Sequence, residues 1–336
     1  MEQTPFQLIR KYPKTQGDYA MSLTASVDQT LIASGWSSNL VTVYDRSSLS
    51  EIFEFQTAPS TDAPLSEIKF DTTNSSLLWI GSKGGLIQLW DLRSRAAPAL
   101  TLQAGAPVLS FDINASHTLL SAGTELQSYE GLEEDEPVGD AAKLCFWDVR
   151  TQNALVAFNE VHSDDITQVR FHPTHGEALM TGSTDGLINL YNLATLVEDD
   201  SLYQTLKVDS VSKLGYFGPS YEYLYCSTHI ETFSLWNFQE AEVISSYGDI
   251  RSLSTPLHKI DYIIDCHYDH ESQRLFMFTG SQEGSIGISD VSLQSASIVH
   301  TLNNGHSDIV RDVLWNKNTR TIVSGGEDAT VCFWSN

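Results

Sequence analysis

The sequence predicts an all-β protein: a seven-bladed β-propeller whose ring is closed by the N-terminal strand. Three observations predict it. A unit of about 45 residues recurs along the chain. Within each unit apolar residues alternate with period two, and helical periodicity is essentially absent. The last unit stops one strand short, while the chain opens on an unmatched strand.

The unit is clearest in "HSDDITQVRF…ALMTGSTDGLINLYN", residues 162–192, and in "HSDIVRDVLW…TIVSGGEDATVCFW", residues 306–334. Each has His-Ser-Asp, an alternating strand, a second strand ending in small residues, an Asp, and a third strand ending in an aromatic. The closing pattern recurs as "LVTVYD" (40–45), "LIQLWD" (86–91), "KLCFWD" (143–148), "TFSLWN" (232–237) and "SIGISD" (285–290). Its aromatic slot falls at Tyr44, Trp90, Trp147, Tyr191, Trp236, Ser289 and Trp334, with gaps of 46, 57, 44, 45, 53 and 45 residues. Four short strands per unit give a radial stack of small sheets. "FQLIRKY" (6–12) is placed to supply the outer strand missing from the last blade, which would remove the open edges. The whole chain, 1–336, therefore reads as one propeller domain with an acidic insertion, 124–142, in blade three.

"GSTDGLINLYN", "WDLR", "WDVR", "GH" at 305–306 and "GGEDATVCFW" resemble the WD-repeat family over nearly the whole chain. More narrowly, "SFDINASHTLLSAGTE" (110–125), "LCFWDVR" (144–150), "HSDDITQVRFHP" (162–173) and "GGEDA" (325–329) look like the WD repeat-containing protein 89 family, a resemblance that brings no settled biochemical activity. It implies a hydrogen-bonded bracket of His306, Ser324, Asp328 and Trp334 in the last copy, and of His162, Thr181, Asp185 and Tyr191 in the fourth. The chemistry is local. A turn carboxylate needs donors, the His ring bridges it to a hydroxyl, and the aromatic excludes water. On that reading the histidines of "HSDD" and "HSD" are structural.

Nothing else points to catalysis or to a cofactor. Cys145, Cys226, Cys266 and Cys332 form no CxxC pair and read as buried hydrophobes in a reducing compartment. "CHYDHE" (266–271) falls at a strand-to-strand turn, and alternation sends His267 and His270 to opposite faces. "GSKGGLIQLW" (81–90) lacks the order and the helix of a phosphate loop. The chain reads as non-enzymatic, with neither metal nor cofactor.

Charge is the extreme property. Lys and Arg number 19 against 43 Asp and Glu, a net charge of −24. Such a chain repels nucleic acid and anionic membranes and attracts basic proteins. The long gaps hold "TELQSYEGLEEDEPVGDAA" (124–142) and "SSYGDIRSLSTPLHKID" (245–261), both expected to open on one face. The candidate surface for a basic partner is Glu125, Glu130, Glu133, Glu134, Asp135, Glu136 and Asp140 from the insertion, with Asp164, Asp165, Asp261 and Asp308. Asp62 and Glu67 are expected beside them, and Trp36, Tyr129 and Tyr262 are candidate anchors.

The leading functional reading is a scaffold or escort for a basic client such as a ribosomal protein or histone. The alternative is a substrate receptor of a cullin-RING ubiquitin ligase docking through WDxR elements, with Arg93 and Arg150 as the docking cations. A monomeric propeller within a complex is expected. The start "MEQTPFQLIRKYPK" lacks a secretory apolar core and no stretch is long enough for a membrane span, so cytoplasm and nucleus are the expected compartments.

Overall fold

The first strand of each repeat mixes buried and partly exposed side chains. In "ITQVRF", Ile166–Phe171, the residues Ile166, Gln168, Val169 and Phe171 are buried, and Thr167 and Arg170 are partly exposed. Strands of this kind assemble, in a computed structural model that describes residues 5–59, 62–127 and 142–336, into seven four-stranded antiparallel sheets. The sheets stand radially as a seven-bladed β-propeller. Helix among the described residues amounts to one turn at Glu198–Ser201 and a 3₁₀ turn at Ile250–Leu253.

The first strands line the channel: Ala20–Ala25, Leu65–Phe70, Val108–Ile113, Ile166–Phe171, Val211–Phe217, Tyr262–Asp269 and Val310–Asn316. The seventh sheet has the order Gln7–Pro13, Thr330–Ser335, Thr321–Gly326, Val310–Asn316, so the N-terminal strand is its outer strand and closes the ring. Lys11 Nζ donates to Gly305 O at 2.6 Å, and the Tyr12 and Phe333 rings pack edge to face at 5.8 Å.

Neighbouring blades meet closely where the second strand carries a glycine. A methyl group at Gly182 would stand 2.6 Å from Val211 of the next blade, and one at Gly35 would stand 2.8 Å from Leu65. Gly123 receives Ile166 in the same way. Apolar residues thus slot from one blade into the back of the one before, forming the inter-blade cores.

Because neighbouring strands are antiparallel, the first-to-second and third-to-fourth turns open on one face, here the lower. The second-to-third turns and the inter-blade loops open on the upper face. The acidic insertion lies between Leu119–Thr124 and Ala142–Asp148, a second-to-third connection. The loop before blade six runs from Asp249 to Tyr262.

Candidate functional site

Every first strand carries a register shift at the same place, between Ala20/Ser22, Leu65/Glu67, Val108/Ser110, Ile166/Gln168, Val211/Lys213, Ile263/Asp265 and Val310/Asp312. A bulge re-aims the residue that follows it. Here it turns Ser22, Glu67, Ser110, Gln168, Lys213, Asp265 and Asp312 into the channel, a cavity of about 400 Å³.

These side chains hydrogen-bond from blade to blade. Ser22 Oγ accepts from Ile68 N at 3.2 Å, Glu67 Oε2 from Phe111 N at 2.9 Å, and Ser110 Oγ from Val169 N at 3.2 Å. Gln168 donates to Ser212 O at 3.0 Å, and Asp312 accepts from Leu23 N at 2.6 Å. Tyr225 OH donates to Cys266 O at 3.2 Å, and His267 Nε2 lies 3.0 Å from Val313 O, spanning the remaining two seams.

Glu67 was expected at the upper rim; the bulge puts it in the channel wall, 3.3 Å from Arg170 and 3.4 Å from Lys69. Burial pushes its pKa up, but those two cations and the Phe111 N–H hold it below the usual value. Asp312 is the opposite case. Burial lifts its pKa to about 6, the Lys213 charge offsetting only part of this and the nearby Asp265 adding to it.

The bracket side chains lie at the upper ends of the blades. His306 Nδ1 is 2.9 Å from Asp328 Oδ1 and its Nε2 is 2.8 Å from Ser324 Oγ, which also accepts the Trp334 indole N–H at 2.8 Å. In blade four His162 Nδ1 is 2.9 Å from Asp185 Oδ2 and Nε2 is 2.7 Å from Thr181 Oγ1. Tyr191 takes the tryptophan position without a hydrogen bond from its hydroxyl, and burial pushes its pKa up to about 12. Burial also opposes ionisation of Asp185 and Asp328, yet the histidines and the Ser163 and Ser307 N–H groups hold both carboxyls below the ordinary range. With both ring nitrogens engaged and both side chains fully enclosed, His162 and His306 present nothing to a substrate.

On the upper face Asp62, Glu125, Asp164, Asp165, Asp261 and Asp308 sit in inter-blade loops or second-to-third turns. Several are already engaged. Glu125 pairs with Lys83 at 2.8 Å, Asp261 with Lys259 at 2.7 Å, and Asp165 accepts from Leu126 N at 2.7 Å. Glu130, Glu133, Glu134, Asp135, Glu136, Asp140 and Tyr129 lie outside the described residues.

Two of the expected anchors are not available. Trp36 is fully buried, its indole donating to Thr42 Oγ1 at 3.1 Å. Tyr262 fills the space beside Gly280, and its hydroxyl accepts from Val310 N at 2.7 Å. Nor are the described carboxylates confined to the upper face. Glu177, Glu198, Asp199, Asp200, Glu222, Glu240 and Glu271 belong to turns of the lower one.

The lower face carries Arg93 and Arg150, in the third-to-fourth turns of blades two and three, with side chains 71% and 69% exposed. Each pairs with the aspartate two residues before it, Asp91 at 2.6 Å and Asp148 at 3.2 Å.

Between blades four and five a cavity of about 550 Å³ opens on this face, with Tyr203, Tyr216, Phe238, Glu177 and Glu222 in its lining. His172 stands at its back. Its Nδ1 accepts from Thr174 N and His175 N at 3.2 and 3.1 Å, and burial, with His175 beside it, depresses its pKa. The parts of "CHYDHE" separate as alternation requires: His267 faces the channel, while His270 packs against Tyr221 and Tyr268 at 4.8 Å. Among the described residues no three of His, Cys, Asp and Glu are grouped to hold a metal ion.

Comparison with known proteins agrees with this architecture. The family described as "WD domain, G-beta repeat" matches residues 154–192 and 296–335. Both matches begin in the outer strand of one blade, Asn153–His162 or Ser295–Leu302, and end in the third strand of the next. The chain is a WD-repeat propeller. It is 29% identical to the WD repeat-containing protein 89 homolog of Dictyostelium discoideum over 95% of this chain and 84% of that one. It is 28% identical to the WD repeat-containing protein GTS1 of Arabidopsis thaliana over 94% of this chain and 81% of that one.

The stagger between repeat and blade explains why a WD-repeat propeller of this kind needs its N-terminal strand for closure. It also exposes a bracket that motif reading passes over. His258 Nε2 is 3.2 Å from Thr279 Oγ1 and its Nδ1 is 3.1 Å from Ser285 Oγ. Blade six has Ser289 in the aromatic slot and Glu283 in the turn, and the histidine turns to Ser285 instead. The signal was the spacing, 21 residues from His258 to Thr279 beside 19 from His162 to Thr181. The channel ring was legible too, as a polar residue just before a buried one in every first strand: Ser22-Leu23, Glu67-Ile68, Ser110-Phe111, Gln168-Val169, Lys213-Leu214, Asp265-Cys266 and Asp312-Val313.

Proposed function

We propose that this propeller is a non-enzymatic scaffold that escorts a basic protein, with a ribosomal protein or a histone as the kind of client. The observation that carries the reading is the net charge of −24 on a rigid ring with an acidic insertion between two strands of its upper face. A field of this sign speeds encounter with a positive partner and falls off over about 8 Å at physiological salt. The same reading places the protein in cytoplasm and nucleus, as a monomer that works within a complex.

The test is affinity purification at low and moderate salt, comparing the wild type with a variant carrying Glu133→Ser, Glu134→Ser, Asp135→Ser and Glu136→Ser. A basic protein recovered by the wild type and lost by the variant identifies both client and face. Recovery of no basic protein at either salt ends the escort reading.

A second reading is favoured by Arg93 and Arg150, exposed on the same face of adjacent blades. They would dock a ubiquitin-ligase adaptor. If Arg93→Ala with Arg150→Ala leaves the recovered partners unchanged, that reading loses its support.

A further inference from the structure

The lower-face cavity between blades four and five brings aromatic rings and carboxylates together. Tyr203, in the outer strand Leu202–Lys207, is 63% exposed at its rim beside Leu202, itself 47% exposed. Tyr216 and Phe238, rings 5.7 Å apart and edge to face, form the facing wall. Glu222 is held in place by the Ser220 N–H at 2.8 Å. The exposed Glu177 carboxylate has no ion pair among the described residues. The cation in the next turn, Arg150, is committed to Asp148. Burial depresses the pKa of His172 at the back, and its Nδ1 accepts two backbone N–H groups.

Aromatic faces attract cations, and a carboxylate at the mouth of such a pocket completes the match. Arginine fits this combination better than lysine. Its planar guanidinium stacks on a ring while its edge donates to carboxylates, and its weaker hydration lowers the cost of entry. A cavity of about 550 Å³ admits the whole side chain together with part of the chain that carries it.

We propose that this cavity receives an arginine side chain from a basic segment of the partner. The proposal rests on the basic-partner reading and moves the anchoring contact from the acidic insertion to the opposite face. The upper-face charge then gathers and orients the partner, and the cavity supplies the desolvated contact around which affinity concentrates.

The test uses fluorescence anisotropy with a fluorescein-labelled peptide of alternating glycine and arginine, and with the lysine and citrulline versions of it. The whole protein is compared with Tyr203→Ala, Tyr203→Phe and Glu177→Gln, and with the four-serine variant of residues 133–136. Circular dichroism checks that each is folded.

The arginine peptide should bind the wild type and bind Tyr203→Ala at least tenfold more weakly. It should lose about threefold with Glu177→Gln and less than twofold with Tyr203→Phe. The four-serine variant should lose little at moderate salt, and the citrulline peptide should not bind. Equal affinity for wild type and Tyr203→Ala overturns the cavity, as does absence of arginine-peptide binding to the wild type. Loss confined to the four-serine variant also overturns it and leaves the basic-partner reading intact. Lysine binding as tight as arginine overturns the assignment of the side chain.

Discussion

Asp312 accepts the backbone N–H of Leu23 at 2.6 Å, joining residues 289 positions apart across the seam where the ring closes. Its other oxygen accepts from Val313 N at 2.8 Å. The same carboxylate is raised to about 6, chiefly by burial, from an ordinary 3.8. Between those two values the folded protein binds the proton that the unfolded chain releases. The stabilisation from protonated Asp312 is complete below about pH 4 and is lost as pH rises through 6. Two pKa units correspond to about 3 kcal/mol as an upper bound.

Asp312→Asn therefore changes the pH profile. In urea titrations from pH 4 to 7.5, the stability of the wild type relative to Asp312→Asn should fall by about 2 kcal/mol, most of it between pH 4 and 6. A difference that stays flat across this range would show that Asp312 ionises without cost.

The brackets act at the acid end with the opposite sign. Asp185 and Asp328 are held below their ordinary values, so their contribution is present above about pH 4 and is lost as pH falls through the folded pKa. Asp328→Ala leaves the His306 Nδ1 and Ser307 N–H groups without their acceptor and should cost about 2–3 kcal/mol. Asp308→Ala, at an exposed carboxylate of the same face, should stay within about 0.5 kcal/mol. Chemical denaturation of the two variants at pH 7 makes the comparison, and equal losses would deny the bracket a special role.

Gly182→Ala tests the inter-blade contact. The new methyl group meets Val211 at 2.6 Å, and the neighbouring blade has to give way. Overpacking of this kind costs about 1–3 kcal/mol. Gly17→Ala is unsuitable as a control because Gly17 has φ of +91°, so Ser163→Ala, on an exposed loop, serves instead and should change stability by less.

Removal of residues 1–13 should unpair Thr330–Ser335 along its outer edge. It also strips Phe6 from the core it shares with Trp315 and Trp334. An open strand edge invites pairing with other chains. Concentration-dependent association in light scattering is the expected result, and a well-behaved monomer would argue that the ring does not need this strand.

The four thiols offer an independent check on the inter-blade cores. Burial pushes the Cys145 pKa up to about 11 and those of Cys226 and Cys332 up to about 12, and Cys266 is raised as well. Native protein at pH 8 should react very slowly with a thiol reagent, and all four groups should react on denaturation. Fast reaction of any one in the native state would mean that its blade interface opens.

The repeat was legible in the sequence because it is local. A period near 45, period-two alternation, an unmatched strand at the start and a last unit one strand short are local features, and they led to seven blades and to the closing strand without reference to any contact. The members of the His306 and His162 brackets were legible through the resemblance to WD repeats, position by position. His258 hid because its partner, Ser285, stands outside the motif position.

What tertiary structure decided is where side chains point once blades meet. Glu67 was expected at the upper rim; a bulge repeated in every first strand turned it, and Asp312 likewise, into the channel. Trp36 and Tyr262 read as aromatics near a rim, and packing drew both inside. The cavity of Tyr203, Tyr216, Phe238, Glu177 and Glu222 draws on two strands and three turns of two blades. Periodicity along a chain assigns residues to strands, but the sides of a cavity are set by the angle at which one twisted sheet packs on the next, and that angle is a property of the assembled ring.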